Sequence, residues 1–68
     1  MRIKVFIEKG SREMSVEIPS GKTIEHVLKK LKINPQTVIV VKNSQVVPEH
    51  VSLKEKDSLK ILSVKLGG

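Results

Sequence analysis

The stretch PSGKTIEHVLKKLKI, residues 19–33, decides the fold. Within it Ile24, Val27, Leu28 and Leu31 fall at i, i+3, i+4 and i+7, the single apolar stripe of a helix. Thr23 stands where an N-cap belongs, and Glu25 in the first turn suits the positive end of the helix dipole. Lys29, Lys30 and Lys32 crowd the last turn, where cations are favoured. Asn34-Pro35 is a stop, because a residue before proline avoids the α region. The spacing predicts a helix over 24–32, too short to hold without packing on a sheet.

On both sides of this stretch the period is two. MRIKVFIE alternates Ile3, Val5 and Ile7 with Arg2, Lys4, Phe6 and Glu8, and EMSVEI repeats the pattern with Met14, Val16 and Ile18. KGSR between them turns the chain, with Gly10 free to take positive φ, so the two runs read as a hairpin. After the helix, TVIVVK is the most β-prone run. Asn43-Ser44 is a two-residue turn candidate, and QVV pairs back before Pro48 ends it. PEHVSLKEKD reads as a loop with Leu53 tucked under it, and SLKILSVKL as a last alternating strand.

The order is therefore β-β-α-β-β-β. One helix among four or five strands has to cover one sheet face, which makes a two-layer α+β domain with a mixed sheet. The first and last strands are the long apolar ones and belong side by side in the centre, parallel, joined by a right-handed crossover.

Bulk properties narrow the function. A chain of 68 residues is one domain with a thin core, leaving little room for an internal active-site cavity. There is no cysteine, hence no disulfide and no thiol nucleophile. His26 and His50 have no second ligand at useful spacing, so no metal site is expected. No long apolar run suggests a membrane span or a signal peptide, and a cytoplasmic location is expected. Net charge is +6, but the lysines are dispersed, only Arg2 and Arg12 carry guanidinium groups, and Phe6 is the only aromatic residue. Readers of single strands need stacking platforms and groove readers favour arginine, so a solvated basic surface is the better account.

The face turned from the helix is not uniformly polar. Ile3, Val5, Ile7, Met14, Val16, Ile18, Val38, Val40, Leu59 and Ile61 form the inner set. The outer set receives Phe6, Ile39, Val41, Leu62 and Val64. These come from three strands that the expected topology makes neighbours, and a contiguous apolar patch marks a partner surface more often than an accident. Lys4, Lys42, Lys60 and Lys65 are expected to rim it and favour an acidic partner.

These elements together resemble the ubiquitin-like β-grasp fold: a hairpin, a helix opened by TIEHVLKKL, the hairpin TVIVVKNSQVVP, a loop with Leu53 and Asp57, and a terminal LGG. More narrowly the chain resembles the sulfur-carrier branch. That branch includes the thiazole-biosynthesis carrier, the small subunit of molybdopterin synthase, the ubiquitin-related modifier and the small archaeal modifier proteins. The likeness is strongest over VIVVKNSQVVPEHVSLKEKDSLKILSVKLGG, and the element order extends it to the whole chain.

The resemblance implies a carrier rather than an enzyme, with the carboxylate of Gly68 as its working group. A partner adenylyltransferase related to the ubiquitin-activating enzymes would join AMP from ATP to it. A sulfur donor would convert it to a thiocarboxylate, or a target-protein lysine would capture it as an isopeptide. ATP would be consumed by the partner, and this chain would bind no cofactor of its own. Gly67 and Gly68 lack Cβ atoms and so suit a narrow catalytic slot, with Leu66, Lys65 and Val64 as the stalk. Val41 and Leu62 match the docking spots of ubiquitin-like proteins, in agreement with the patch Phe6, Ile39, Val41 and Leu62. The expected division is a β-grasp domain over 1–64 and a flexible tail over 65–68, in a monomer. The alternative is a basic nucleic-acid-binding module with an incidental diglycine.

Overall fold

The computed structural model describes residues 1–64. Strands β1 (Arg2–Ile7) and β2 (Arg12–Glu17) form the expected hairpin, and helix α1 (Ile24–Lys30) follows. After one 3-10 turn at Pro35–Thr37 come β3 (Val38–Lys42), β4 (Gln45–Val47) and β5 (Ser58–Ser63). The sheet order is β2-β1-β5-β3-β4, with β1 and β5 parallel in the interior and the other pairs antiparallel. This is the expected topology, with all five strands in one sheet.

The alternation in the sequence becomes burial. Ile3, Val5, Leu59, Ile61 and Val40 point to the helix side and meet Ile24, Val27 and Leu28, which are fully buried. Leu53 is buried under its loop as expected. In the first hairpin the Ser11 N–H donates to the Glu8 carbonyl, and Gly10 takes φ 82°. A side chain resists that value and glycine does not. In the second hairpin both turn residues are left-handed, Asn43 at φ 49° and Ser44 at 73°, as a two-residue turn between twisted strands requires.

The helix begins at Ile24 with Thr23 at its N-cap, as expected, and differs from expectation at its C-terminal end. It stops at Lys30 rather than residue 32, with three residues still to come before Asn34-Pro35. Lys32 turns left-handed at φ 60°, its N–H donates to the Lys29 carbonyl, and the Ile33 N–H donates to the Leu28 carbonyl. This paired closure ends a helix by itself and brings Ile33 back toward Leu28. The proline instead opens the 3-10 turn, where the Asn34 side chain accepts from the Gln36 N–H.

Thr23 occupies the N-cap position with extended backbone, but its hydroxyl makes no capping bond. The loop after β4 supplies the acceptors. Ile24 N–H donates to the Val51 carbonyl at 3.0 Å and Glu25 N–H to the Glu49 carbonyl at 2.9 Å. Leu53 N–H in turn reaches the Lys22 carbonyl at 2.9 Å. With its first N–H groups already paired, the helix has no need of the threonine oxygen.

Candidate functional site

The outer face of the sheet gathers the expected docking residues. Phe6 in β1 pairs with Lys60 in β5, Lys60 with Val41 in β3, and Val41 with Val46 in β4. One step along, Leu62 pairs with Ile39. Ile39 is 39% exposed and Val46 73%, whereas Phe6, Val41 and Leu62 are half-buried. Phe6, Ile39, Val41 and Leu62 thus share one face. Val46 completes the patch and was not anticipated, although the inward turn of Val47 toward the core left it only the outer side.

The patch is not continuous. Lys60 stands between Phe6 and Val41, with its ammonium 5.9 Å from the centre of the Phe6 ring. An exposed contact of this kind stabilises by about 0.5–1 kcal/mol and keeps a charge inside an apolar field. Lys4 lies on this same face by alternation. Lys42 does not. It pairs with Leu59 on the helix side, and its ammonium is 3.8 Å from Asp57. The expected rim therefore loses Lys42, because alternation from Val38 and Val40 carries residue 42 inward. Lys65 lies outside the described residues.

Asp57 closes the lower corner of the sheet. It is 8% exposed and accepts from the Lys54 N–H at 2.8 Å and from the Asn43 side-chain amide at 3.0 Å. Asn43 Oδ1 in turn accepts from the Ser58 N–H, and the Asn43 N–H donates to the Ser58 carbonyl. Burial pushes the Asp57 carboxyl upward. The Lys54 N–H, the Asn43 amide and the Lys42 and Lys54 charges together outweigh it and hold the pKa below the ordinary value. The Asp57 carboxylate, the Asn43 side chain and the Ser58 backbone are spent on one another, so the corner orders the β3–β4 turn against β5.

At the opposite end the last described bond of the sheet is from the Val64 N–H to the Thr37 carbonyl, 2.9 Å. Four residues of sequence follow, Lys65, Leu66, Gly67 and Gly68, and all four lie outside the described residues. So do the expected activated terminus and most of the expected stalk. Among the described residues no cluster of His, Asp and Glu could hold a metal ion, and no helix is long and apolar enough to cross a membrane.

A single helix on a mixed five-stranded sheet, with parallel outer strands of the sequence brought to its centre and an apolar outer face, defines a ubiquitin-like β-grasp protein. Solved structures share this architecture. SAMP1 from Haloferax volcanii superposes with a TM-score of 0.78 at 16% identity, covering 100% of both chains. The ubiquitin of Caldiarchaeum subterraneum does so at 0.76 and 18% identity, covering 100% of this chain and 98% of that one. The chain belongs to the small archaeal modifier protein 2 family, whose model matches residues 1–64. It is also similar to the sulfur carrier protein TtuB of Thermus thermophilus, 32% identical over 53 residues, which span 78% of this chain and 82% of that protein.

Proposed function

We propose that this chain is a sulfur carrier and protein modifier that works through the carboxylate of Gly68. A carboxylate oxygen attacks the α-phosphorus of ATP on a ubiquitin-activating-like adenylyltransferase, pyrophosphate leaves, and a mixed anhydride with AMP forms. A sulfur donor or a target-protein lysine then displaces AMP, giving a thiocarboxylate or an isopeptide. The difficult chemistry is the partner's; the carrier supplies an accessible acyl group.

One observation carries this reading. Strand β5 is central, and its last bond at Val64 lies one strand from Ile39, beside the apolar outer face. Four residues reach at most about 14 Å, so a partner that grips Gly68 comes close enough to contact Ile39 and Leu62 as well. Docking on that face and capture of the tail are then parts of one encounter. Membership of a modifier family and the likeness to a sulfur carrier point the same way.

The test is activation in vitro with the cognate adenylyltransferase, read by intact-protein mass spectrometry. The expected products are a C-terminal adenylate and, with a sulfur donor, replacement of one terminal oxygen by sulfur. Deletion of Gly68 is expected to abolish both while the thermal transition stays in place. Ile39→Asp is expected to weaken the encounter by about fivefold or more, since truncating a central apolar anchor costs more than about 1 kcal/mol. Persistent activation without Gly68 overturns the reading.

A further inference from the structure

Where the end of α1 meets the β1–β2 hairpin, the core is left partly uncovered. An open groove of about 660 Å³ lies there, on the helix side of the sheet and away from the Val41 face. Its floor is apolar. Ile7, Met14, Leu31, Ile33 and Val38 line it, and they are five of the eight half-buried hydrophobic residues that pack around the core among the described residues.

Its rim is cationic. Lys9 and Arg12 stand on the hairpin side, Lys30 and Lys32 on the helix side, and no acidic residue lines the groove. Four of the thirteen cationic side chains therefore border one concavity. Lys30 donates to the Glu17 carbonyl, while Lys9, Arg12 and Lys32 have no ion pair among the described residues. The concavity around Arg2 and Lys4 is different: Glu17 and Glu55 line it too, and Arg2 pairs with Glu17.

The backbone holds one of these cations in place at a cost. Lys32 sits at φ 60° where the helix closes, a position that glycine fills without strain. Ser63 also lines the groove, so it opens beside the point where β5 leaves the sheet.

We propose that this groove docks an extended acidic segment of a partner protein, with its carboxylates on the cationic rim and alternate aliphatic side chains on the floor. Charge complementarity and the apolar floor select that occupant. RNA fits less well, because no aromatic side chain lines the groove to stack a base. The surface is distinct from the Ile39 face, and its binding does not depend on activation of the tail.

The experiment is an amide-shift titration of the full isotope-labelled chain with a short peptide of alternating Glu and Leu. Its Gln–Leu counterpart and oligouridylate serve as competing probes. Saturable shifts are expected at residues 9–14 and 30–33, with the Gln–Leu peptide binding about tenfold or more weakly. Lys9→Ala and Arg12→Ala are each expected to weaken the Glu–Leu peptide about two- to fivefold. Lys32→Gly is expected to weaken it by a similar factor while raising Tm, a split that a purely structural role for Lys32 would not produce. Removal of Gly68 is expected to leave the affinity unchanged, whatever it does to activation. Equal binding of the Gln–Leu peptide, tighter binding of oligouridylate, or shifts confined to Phe6 and Val41 would each overturn the proposal.

Discussion

At one end of the sheet the turn of β3 into β4 is folded over Asp57, and at the other the turn of β1 into β2 stands beside an open groove. Both ends hold lysines and left-handed residues, but they use them differently. Lys42 is drawn in against Asp57 and Asn43 is spent on Asp57 and Ser58. Lys9, Arg12 and Lys32 face outward around an uncovered apolar floor. A polar group whose partners lie within the chain adds to stability. One whose partners must come from outside adds little until they arrive. The same residue types therefore give opposite results when they are substituted.

The largest effect is expected at the closed end. Asp57→Ala leaves the Lys54 N–H and the Asn43 amide without their acceptor, which costs about 2–3 kcal/mol. For a domain of this size that is a fall of roughly 10–20 °C in Tm, measurable by thermal unfolding. A loss below about 1 kcal/mol would mean that the corner is not a stabilising unit. Asn43→Ala is expected next, at about 2 kcal/mol, because it removes the clamp and the polar side chain that helps residue 43 tolerate the left-handed region. Asn43→Gly keeps the turn geometry and should recover about 1 kcal/mol of that loss; equal costs for the two would assign no role to backbone strain.

Acid sharpens the comparison. The folded Asp57 carboxyl is held below its ordinary pKa, so its ionised form is the one that the fold favours. Its contribution is complete above the unfolded value of about 4, and is lost as the pH falls through the lowered folded value. In urea unfolding, the stability gap between the native chain and Asp57→Asn should narrow below about pH 4. A gap that stays constant down to about pH 2 would contradict the assignment. The smallest effects belong to the open end. Lys32→Gly is expected to stabilise by about 0.5–1 kcal/mol, and Lys9→Ala to change stability by less than about 0.5 kcal/mol. A large loss at Lys9 would show that the groove cations hold the fold after all.

The sheet was legible because its signal is local and repeated. Alternation over Arg2–Ile7 and the stripe from Ile24 to Leu31 each state a period, the run from Val38 is strongly β-prone, and together they leave one plausible layering. The outer face followed from the same alternation, which also held the clues to Val46 and to the inward turn of Lys42. Helix closure was harder to read, since it rests on a lysine taking the left-handed position usually given to glycine. Thr23 takes the N-cap position as expected, but the absence of its hydroxyl bond was hard to read for a related reason: the acceptors that replace it, the Val51 and Glu49 carbonyls, are distant in sequence and carried by a loop with no period. The two ends of the sheet were least visible. Asn43 finds Asp57 fourteen positions away through a turn conformation, and the groove cations at 9, 12, 30 and 32 look dispersed until the chain folds.

The parallel ladder from Lys4–Ser58 to Ile7–Ile61 also fixes how the molecule bears force. The start of β1 and the end of β5 lie at opposite ends of that ladder. A pull on the chain beyond Val64, against an anchor at Met1, therefore slides the two strands along one another. The bonds of the ladder are loaded together instead of opening one after another, as they would if the hairpin β1–β2 were peeled from its free ends. A partner that pulls on the chain beyond Val64 meets its stiffest resistance when it pulls along the direction of β5.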